Sequence, residues 1–341
     1  MADAPLVGIG LPTLNGERFI AEALESLLAQ DHRELEIVVA DNASTDRTPE
    51  IVREFARRDS RIRHERVEAL LSAPANFNRV FASARGPYFM WAADDDLWDP
   101  SYVRRCVAAL EADPAAVMAS TGVRFIDPTG QPIEADHRQY DNPDLSSRSV
   151  VRRVRTLIRR RGWYQVYGLS RRDALSRTRL FQDAYGADVV LVTELAMLGP
   201  IVLVPEPLFS YRRQPGQTEA ARAARQGGIE DEGSVLTARM THLQESLSDA
   251  VRQSSLPRST KLRLRAEILR AAYVDDTPMR RRARPEADVR VAGAARAHDL
   301  GGIAKFGLIA GVARLAALGD LWRRALARLQ RYGRGVRRRL R

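Results

Sequence analysis

Apolar positions in the first half of the chain alternate between two patterns: short continuous runs, and stretches in which they recur every three or four residues. Leu6 to Leu11 (LVGIGL) is a run closed by Pro12 and predicts a buried strand. Glu17 to Gln30 sets Phe19, Ile20, Ala23, Leu24, Leu27 and Leu28 at helical spacing. Leu35 to Ala40 (LEIVVA) predicts a second strand, and Thr48 and Pro49 then read as N-cap and first residue of a helix through Arg58. Ile62 to Val67 is a weaker third strand. Asn76 to Arg85, with Phe77, Val80, Phe81 and Ala84 on one face, predicts a helix leading into a strand at Tyr88. A helix from Pro100 to Glu111 and a strand from Ala116 to Ile126 continue the alternation. The pattern predicts an α/β domain with a mostly parallel sheet covered by helices on both faces.

Further on, Asp127 to Ser147 shifts to Pro, Asp, Gln and Gly and reads as an excursion loop. A basic helix is expected over Val150 to Arg161, and GWYQVYGL reads as an aromatic strand. Asp188 stands at the start of a strongly apolar helix that ends at Gly199-Pro200. Ile201 to Tyr211 is the last strand, with Pro205 and Pro207 marking it as an edge or bulged one. Beyond Gln214 no strand signal follows; Gln217 to Ser254 and Lys261 to Ala272 are helical by spacing, and Ile303 to Leu329 reads as an amphipathic helix broken by glycines. The expected division is an α/β domain over residues 1–215 and a helical extension over 216–341.

Charge changes this picture at one end only. The 341 residues carry a formal net charge of +11, much of it beyond Arg280 in RRRARPEADVR and in LWRRALARLQRYGRGVRRRLR. An arginine-rich tail of this kind suits nucleic acid, anionic lipid, or solvent. Trp322 and Tyr332 are the only aromatics interleaved in the terminal stretch and no nucleic-acid-binding module is visible, so nucleic acid is not the expected partner. Cys106 is the sole cysteine, which excludes a disulfide framework and suits a reducing compartment. MADAPLVGIGLPT lacks a basic n-region followed by an apolar h-region, so the expected place is the cytoplasm.

Chemistry concentrates in YFMWAADDDLWDP, where a strand runs out into Asp94, Asp95 and Asp96. Crowded carboxylates raise one another's pKa, stay in water, or hold a cation, and Mg2+ uses one or two carboxylates plus substrate phosphates. The competing reading is a capping turn, for which Asp99 before Pro100 is well suited. Three polar loops follow strands directly, Pro12 to Glu17, Asp41 to Asp46 and Asp94 to Asp96. In parallel sheets ligands bind beyond the carboxyl ends of the strands, so these loops are expected to share one crevice.

Read together, LPTLNGERFIAEALESLLAQ, EIVVADNASTDRTPEI, NFNRVFASARGPYFMWAADDDLWDP and YGADVVLVTELAMLGPIVLVPEPLFSYRRQPGQT resemble, in order, the segments of inverting glycosyltransferases of family 2 with the GT-A (Rossmann-like) fold. The resemblance covers roughly the first 215 residues and implies a nucleoside-diphosphate-sugar donor (UDP-, dTDP- or GDP-sugar), a glycan or lipid-linked acceptor, and a divalent cofactor, Mg2+ or Mn2+. It implies that Pro12, Thr13, Asn15 and Glu17 line the nucleoside pocket and that Asp41 accepts a hydrogen bond from the base, against an Asx-turn as the ordinary role of such an aspartate. Asn76 and Asn78 contact the nucleotide or cap their helix. Aligned on Leu97-Trp98, Asp95 falls on the metal ligand of the D-x-D motif and Asp96 on its neighbour, while Ala93 replaces the first aspartate, leaving that contact to Asp94. Asp188 matches the catalytic base, with helix capping as its structural alternative and Asp183 and Glu194 as weaker candidates. Arg212 and Arg213 suit a diphosphate clamp or a pair of surface charges. Gln214 stands where many relatives carry histidine. Trp163, Tyr164 and Tyr167 lie on the implied acceptor side, with core packing the stronger reading. Synthesis of envelope polysaccharide or glycolipid follows from the resemblance and the basic tail, which also suits an anionic membrane surface.

Two other classes compete. A dinucleotide-dependent oxidoreductase needs G-x-G-x-x-G after the first strand, whereas Gly8 and Gly10 lie inside it with no third glycine. A non-catalytic nucleotide-sugar-binding or assembly subunit keeping the same fold is the alternative to the enzyme.

Overall fold

The computed structural model describes residues 4–134, 142–159, 164–213 and 232–273, with side chains from residue 241 onward in the last stretch. The chain divides into two compact units, Met1–Ile229 and Glu230–Arg341. The first contains a sheet of eight strands: β1 Val7–Thr13, β2 Leu35–Asp41, β3 Ile62–Arg66, β4 Tyr88–Trp91, β5 Leu97–Trp98, β6 Met118–Ile126, β7 Leu169–Arg171 and β8 Ile201–Arg212. Their order is β3-β2-β1-β4-β7-β6-β8-β5. The helices between them are α1 Ile20–Leu28, α2 Thr48–Arg58, α3 Ala73–Ser83, α4 Tyr102–Ala112, α5 Val150–Ile158, α6 Arg172–Leu175 and α7 Ala187–Leu198.

The expected alternation holds through β6, but the sheet is mixed. β1, β2, β3 and β4 pair in parallel, as do β6 and β8, whereas β7 runs antiparallel to β4 and β6, and β5 antiparallel to β8. Continuous apolar runs predict burial on both faces, not strand direction, so the antiparallel half was invisible in them. β1 and β2 are buried at every residue. Gly10 in β1 belongs to packing: a Cβ there would lie 2.6 Å from Val80 Cγ2, so α3 rests directly on the strand.

Three local expectations are corrected. The aromatic stretch GWYQVYGL is not a strand throughout: Tyr164–Tyr167 is a 3-10 turn, and extended pairing begins at Leu169. Thr48 does not cap α2 with its side chain; its hydroxyl accepts the amide of Gly16 at 2.8 Å. Asn76 and Asn78 lie inside α3, whose cap is Ser72, its hydroxyl accepting the amide of Ala75. β8 is bulged as its prolines imply, its pairing with β6 shifting between Thr121 and Val123, yet it sits inside the edge strand β5.

Helix α7 is buried from Val189 to Met197 on all sides, which explains its unbroken apolar sequence. Each fully buried Val or Leu there contributes about 1.5–3 kcal/mol. In the second unit α8 (Glu232–Gln253) packs on α9 (Arg258–Tyr273), with Leu243, Leu247 and Val251 of the first and Leu264 and Ile268 of the second buried. No helix among the described residues is long and apolar enough to cross a membrane. Trp163, Gln214, the expected helix at Ile303 to Leu329 and the arginine-rich tail lie outside the described residues.

Candidate active site

β1 and β2 end side by side, with Thr13 opposite Asp41, and β3 sets Arg66 opposite Asp41 on the other side. The turns that leave β1 and β2 are stitched together. The amide of Asn15 donates to Ser44 Oγ at 2.9 Å, and Asn15 Oδ1 accepts from the amide of Thr45 at 2.8 Å. The amide of Glu17 donates to Asp46 Oδ2 at 3.1 Å, and Glu17 Oε2 accepts from the amide of Arg47 at 2.9 Å. Asn15 holds a left-handed φ of 55°, which asparagine tolerates better than most residues. Pro12 and Thr13 are buried beneath this double turn, whereas Asn15 and Glu17 are exposed on it.

Asp41 is fully buried. Its Oδ1 accepts the amide of Ser44 at 2.9 Å, so the Asx-type turn is present. Its Oδ2 lies 3.1 Å from Arg66 Nε and 3.7 Å from His64 Nε2. Burial pushes the His64 imidazole below its ordinary pKa, against the pull of Asp41, and so favours the neutral ring. Arg66 thus closes over the carboxylate expected to meet a nucleobase. Asn76 reaches Ala40 O with Nδ2 at 2.9 Å and accepts from Arg79, while Asn78 exchanges two bonds with the backbone of Phe181, at 2.9 and 3.0 Å. Both asparagines bind α3 to its surroundings.

The aspartate turn has an inner and an outer part. Asp94 Oδ2 accepts the Thr13 hydroxyl at 2.5 Å, and Gly16 packs over both: a Cβ at Gly16 would lie 2.5 Å from Asp94 Oδ2 and 2.7 Å from Thr13 Oγ1. Burial lifts the Asp94 carboxyl to about 6, with Asp95 and Asp46 adding to it and the Thr13 bond opposing it. Asp96 is buried; its Oδ1 accepts the amide of Arg212 at 2.8 Å, and its Oδ2 has no hydrogen-bond partner. Burial first, and the charge of Asp95 next, push the Asp96 carboxyl well above the usual range. Arg212 does not present itself to a diphosphate: its side chain is 0% exposed and bonded within the protein. Arg213 stacks over the ring of Phe125 at 4.2 Å.

Asp188 lies in the first turn of α7, but Gly186 is the cap residue and no side chain caps this helix. A carboxylate in the first turn also complements the positive end of the helix dipole. The negative charges of Asp96, Asp95 and Asp188 all act on the Tyr167 hydroxyl, which burial raises well above its ordinary pKa. Tyr167 packs on Phe209, with ring centroids 5.2 Å apart, and Tyr164 on Tyr211 at 4.9 Å, both beside the core. Of the weaker candidates, Glu194 is committed to Arg179, which it meets at 2.5 Å through Nε and 2.8 Å through the amide, and Asp183 is exposed.

Sequence reasoning missed Gly16, whose signal was the Asn15-Gly16 pair in a turn. Among the described residues no group of three or more His, Cys, Asp or Glu converges to hold a metal ion. A donor set of one or two hard carboxylates, with an unpartnered oxygen on Asp96, fits a divalent cation that completes its shell with phosphate and water.

Residues 9–179, half of the chain, match the sequence pattern of glycosyl transferase family 2. The chain belongs to that family. Among curated relatives, the uncharacterized glycosyltransferase EpsJ of Bacillus subtilis is 29% identical over 224 residues, covering 62% of this chain and 62% of EpsJ. The chain spans 56% to 62% of the length of such relatives. Among solved structures, S. aureus TarS in complex with UDP-GlcNAc superposes with a TM-score of 0.59 at 18% identity, over 78% of this chain and 72% of that one. Mannosyltransferase PcManGT from Pyrobaculum calidifontis, in complex with GDP-Man and Mn2+, gives 0.52 at 21% identity over 94% and 88%. The fold is the GT-A glycosyltransferase fold of these family neighbours.

Proposed function

We propose that the protein transfers a sugar, with inversion, from a nucleoside-diphosphate sugar to an acceptor hydroxyl. The observation that carries this reading is the acidic turn at the carboxyl end of β4, where Asp94 accepts the Thr13 hydroxyl and Asp96 keeps a buried carboxylate oxygen with no hydrogen-bond partner. In such a transfer the acceptor oxygen forms a bond to the anomeric carbon as the bond from that carbon to the diphosphate oxygen breaks. In this reading Asp188 takes the acceptor proton, and the diphosphate leaves with the bonding electrons. Asp95, with Asp96 behind it, would hold a divalent cation, which when bound opposes the charge growing on the diphosphate. Thr13, Asp94 and the stitched turns of Asn15 and Glu17 form the donor wall. Asp41 meets the base if Arg66 shares or yields its carboxylate, and Arg213 borders the diphosphate side.

Donor-bound neighbours, one with UDP-GlcNAc and one with GDP-Man and Mn2+, support the donor class and the metal. A relative described as a putative teichuronic acid biosynthesis glycosyltransferase supports a glycan or lipid-linked acceptor in envelope polysaccharide. The test is calorimetric titration of UDP, GDP and dTDP with and without Mn2+ on the parent, Asp95→Ala and Asp188→Asn, followed by turnover of the matching sugar nucleotide. Asp95→Ala is expected to lose metal-dependent binding. Asp188→Asn is expected to bind like the parent while turnover falls about 10²- to 10⁴-fold. Full turnover by Asp188→Asn would remove it as the base.

A further inference from the structure

We propose that Arg212 is a positioning residue for the aspartate turn: it fixes the backbone of Asp95 and Asp96 and thereby aims Asp95 at the donor diphosphate. The proposal rests on the donor-site reading of Asp95 above, and it moves Arg212 from the ligand's side of the site to the scaffold's side.

Arg212 ends β8, and its guanidinium is 0% exposed. Nε donates to the carbonyl of Asp95 at 2.7 Å. Nη1 donates to the carbonyl of Pro128 at 3.1 Å and, more weakly, to that of Asp127 at 3.4 Å. Nη2 meets Glu22 Oε2 at 2.8 Å, and the plane lies over the Phe19 ring, 4.5 Å from its centroid. The backbone amide of the same residue donates to Asp96 Oδ1 at 2.8 Å. One residue therefore joins the start of α1, the turn after β4, the segment after β6 and the end of β8.

The geometry demands a fork. A rigid, always charged guanidinium satisfies carbonyls and a carboxylate in three directions at once, whereas an ammonium is a single point on a flexible stem. A buried cation is tolerated only when it is paired and hydrogen-bonded, and Glu22 with three carbonyls supplies that. With the carbonyl of Asp95 and the carboxylate of Asp96 both tied to Arg212, the peptide between them cannot rotate. The direction in which the Asp95 side chain leaves the backbone is then set by β8. Because the guanidinium has no exposed surface, direct contact with a diphosphate is not its task.

The two roles separate in a titration. For the nucleotide that the parent binds, affinity is measured by calorimetry in Mn2+ and in EDTA for the parent, Arg212→Lys, Glu22→Gln and Asp95→Ala. Circular dichroism and thermal unfolding report the fold of each. Positioning predicts that Arg212→Lys keeps the parent's affinity in EDTA but loses about 10- to 100-fold of the gain that Mn2+ gives, as outer-shell changes around metal ligands do. Glu22→Gln, a change on a half-exposed side chain, is expected to move the same gain in the same direction by less. It decides the question if Arg212→Lys fails to fold. Equal loss in EDTA and in Mn2+ would restore a direct phosphate contact and overturn the proposal. So would a Mn2+ gain that survives in Arg212→Lys, or in Glu22→Gln where Arg212→Lys does not fold, but vanishes in Asp95→Ala. A parent with no Mn2+ gain for Asp95→Ala to remove would bring down the donor-site reading and this proposal together.

Discussion

Replacing Asp94 with asparagine is expected to stabilise the fold at neutral pH, and by an amount that grows with pH. Burial lifts the Asp94 carboxyl to about 6, while in the unfolded chain it titrates in the ordinary range near 3.8. Between these values the folded state holds the proton more tightly than the unfolded one. Stability supplied by the protonated carboxyl is therefore complete below about pH 4 and is lost as pH rises through 6. At roughly 1.4 kcal/mol per pH unit the loss amounts to about 3 kcal/mol. Asparagine has no charge to desolvate, and its amide oxygen can still accept the Thr13 hydroxyl that now bonds Asp94. The assay is thermal unfolding of parent and Asp94→Asn from pH 4 to 8 in EDTA, since a cation at the turn would itself shift the carboxyl. The gap is expected to be near zero at the acid end and to open to several degrees by pH 7.5, at about 2–4 °C per kcal/mol. A gap that stays constant across the range, or a variant less stable than the parent at pH 7.5, would refute the reasoning.

Gly16→Ala places a methyl within 2.7 Å of both Asp94 and Thr13, so it is expected to cost about 1–3 kcal/mol in urea unfolding and to weaken nucleotide binding; parent-like stability counts against the packing described for the turn. Glu194→Gln breaks the pair with Arg179 and is expected to cost about 2 kcal/mol while the folded protein keeps its turnover. Loss of turnover at unchanged stability would instead give Glu194 a chemical role.

The order of strands and helices was legible because each buried strand is a continuous run and each covering helix has a periodic face. Strand direction was not, since β7 is three residues long and only its partners reveal that it runs against them. Tyr164 to Tyr167 looked extended because aromatic residues favour strands, yet the chain makes a 3-10 turn there and pairs only from Leu169. At the site, the local sequence marked the acidic turn, whereas Asp188 was singled out by the family resemblance. Cross-strand facts stayed hidden: that Arg66 closes over Asp41 depends on the register of β3 against β2, and that Arg212 is interior depends on four segments meeting. An arginine at the end of a proline-containing strand carries no mark of its own burial.

The stitched turns after β1 and β2 bear on how this chain can change over time. Asn15, Glu17, Ser44, Asp46 and Thr48 satisfy one another's backbone groups, so a substitution on one turn strands a donor on the other. These residues have a folding reason to persist even in a descendant that no longer binds a nucleotide. The acidic motif and its neighbouring turns, however rich, therefore do not by themselves tell a nucleotide-binding copy from one that has lost its ligand.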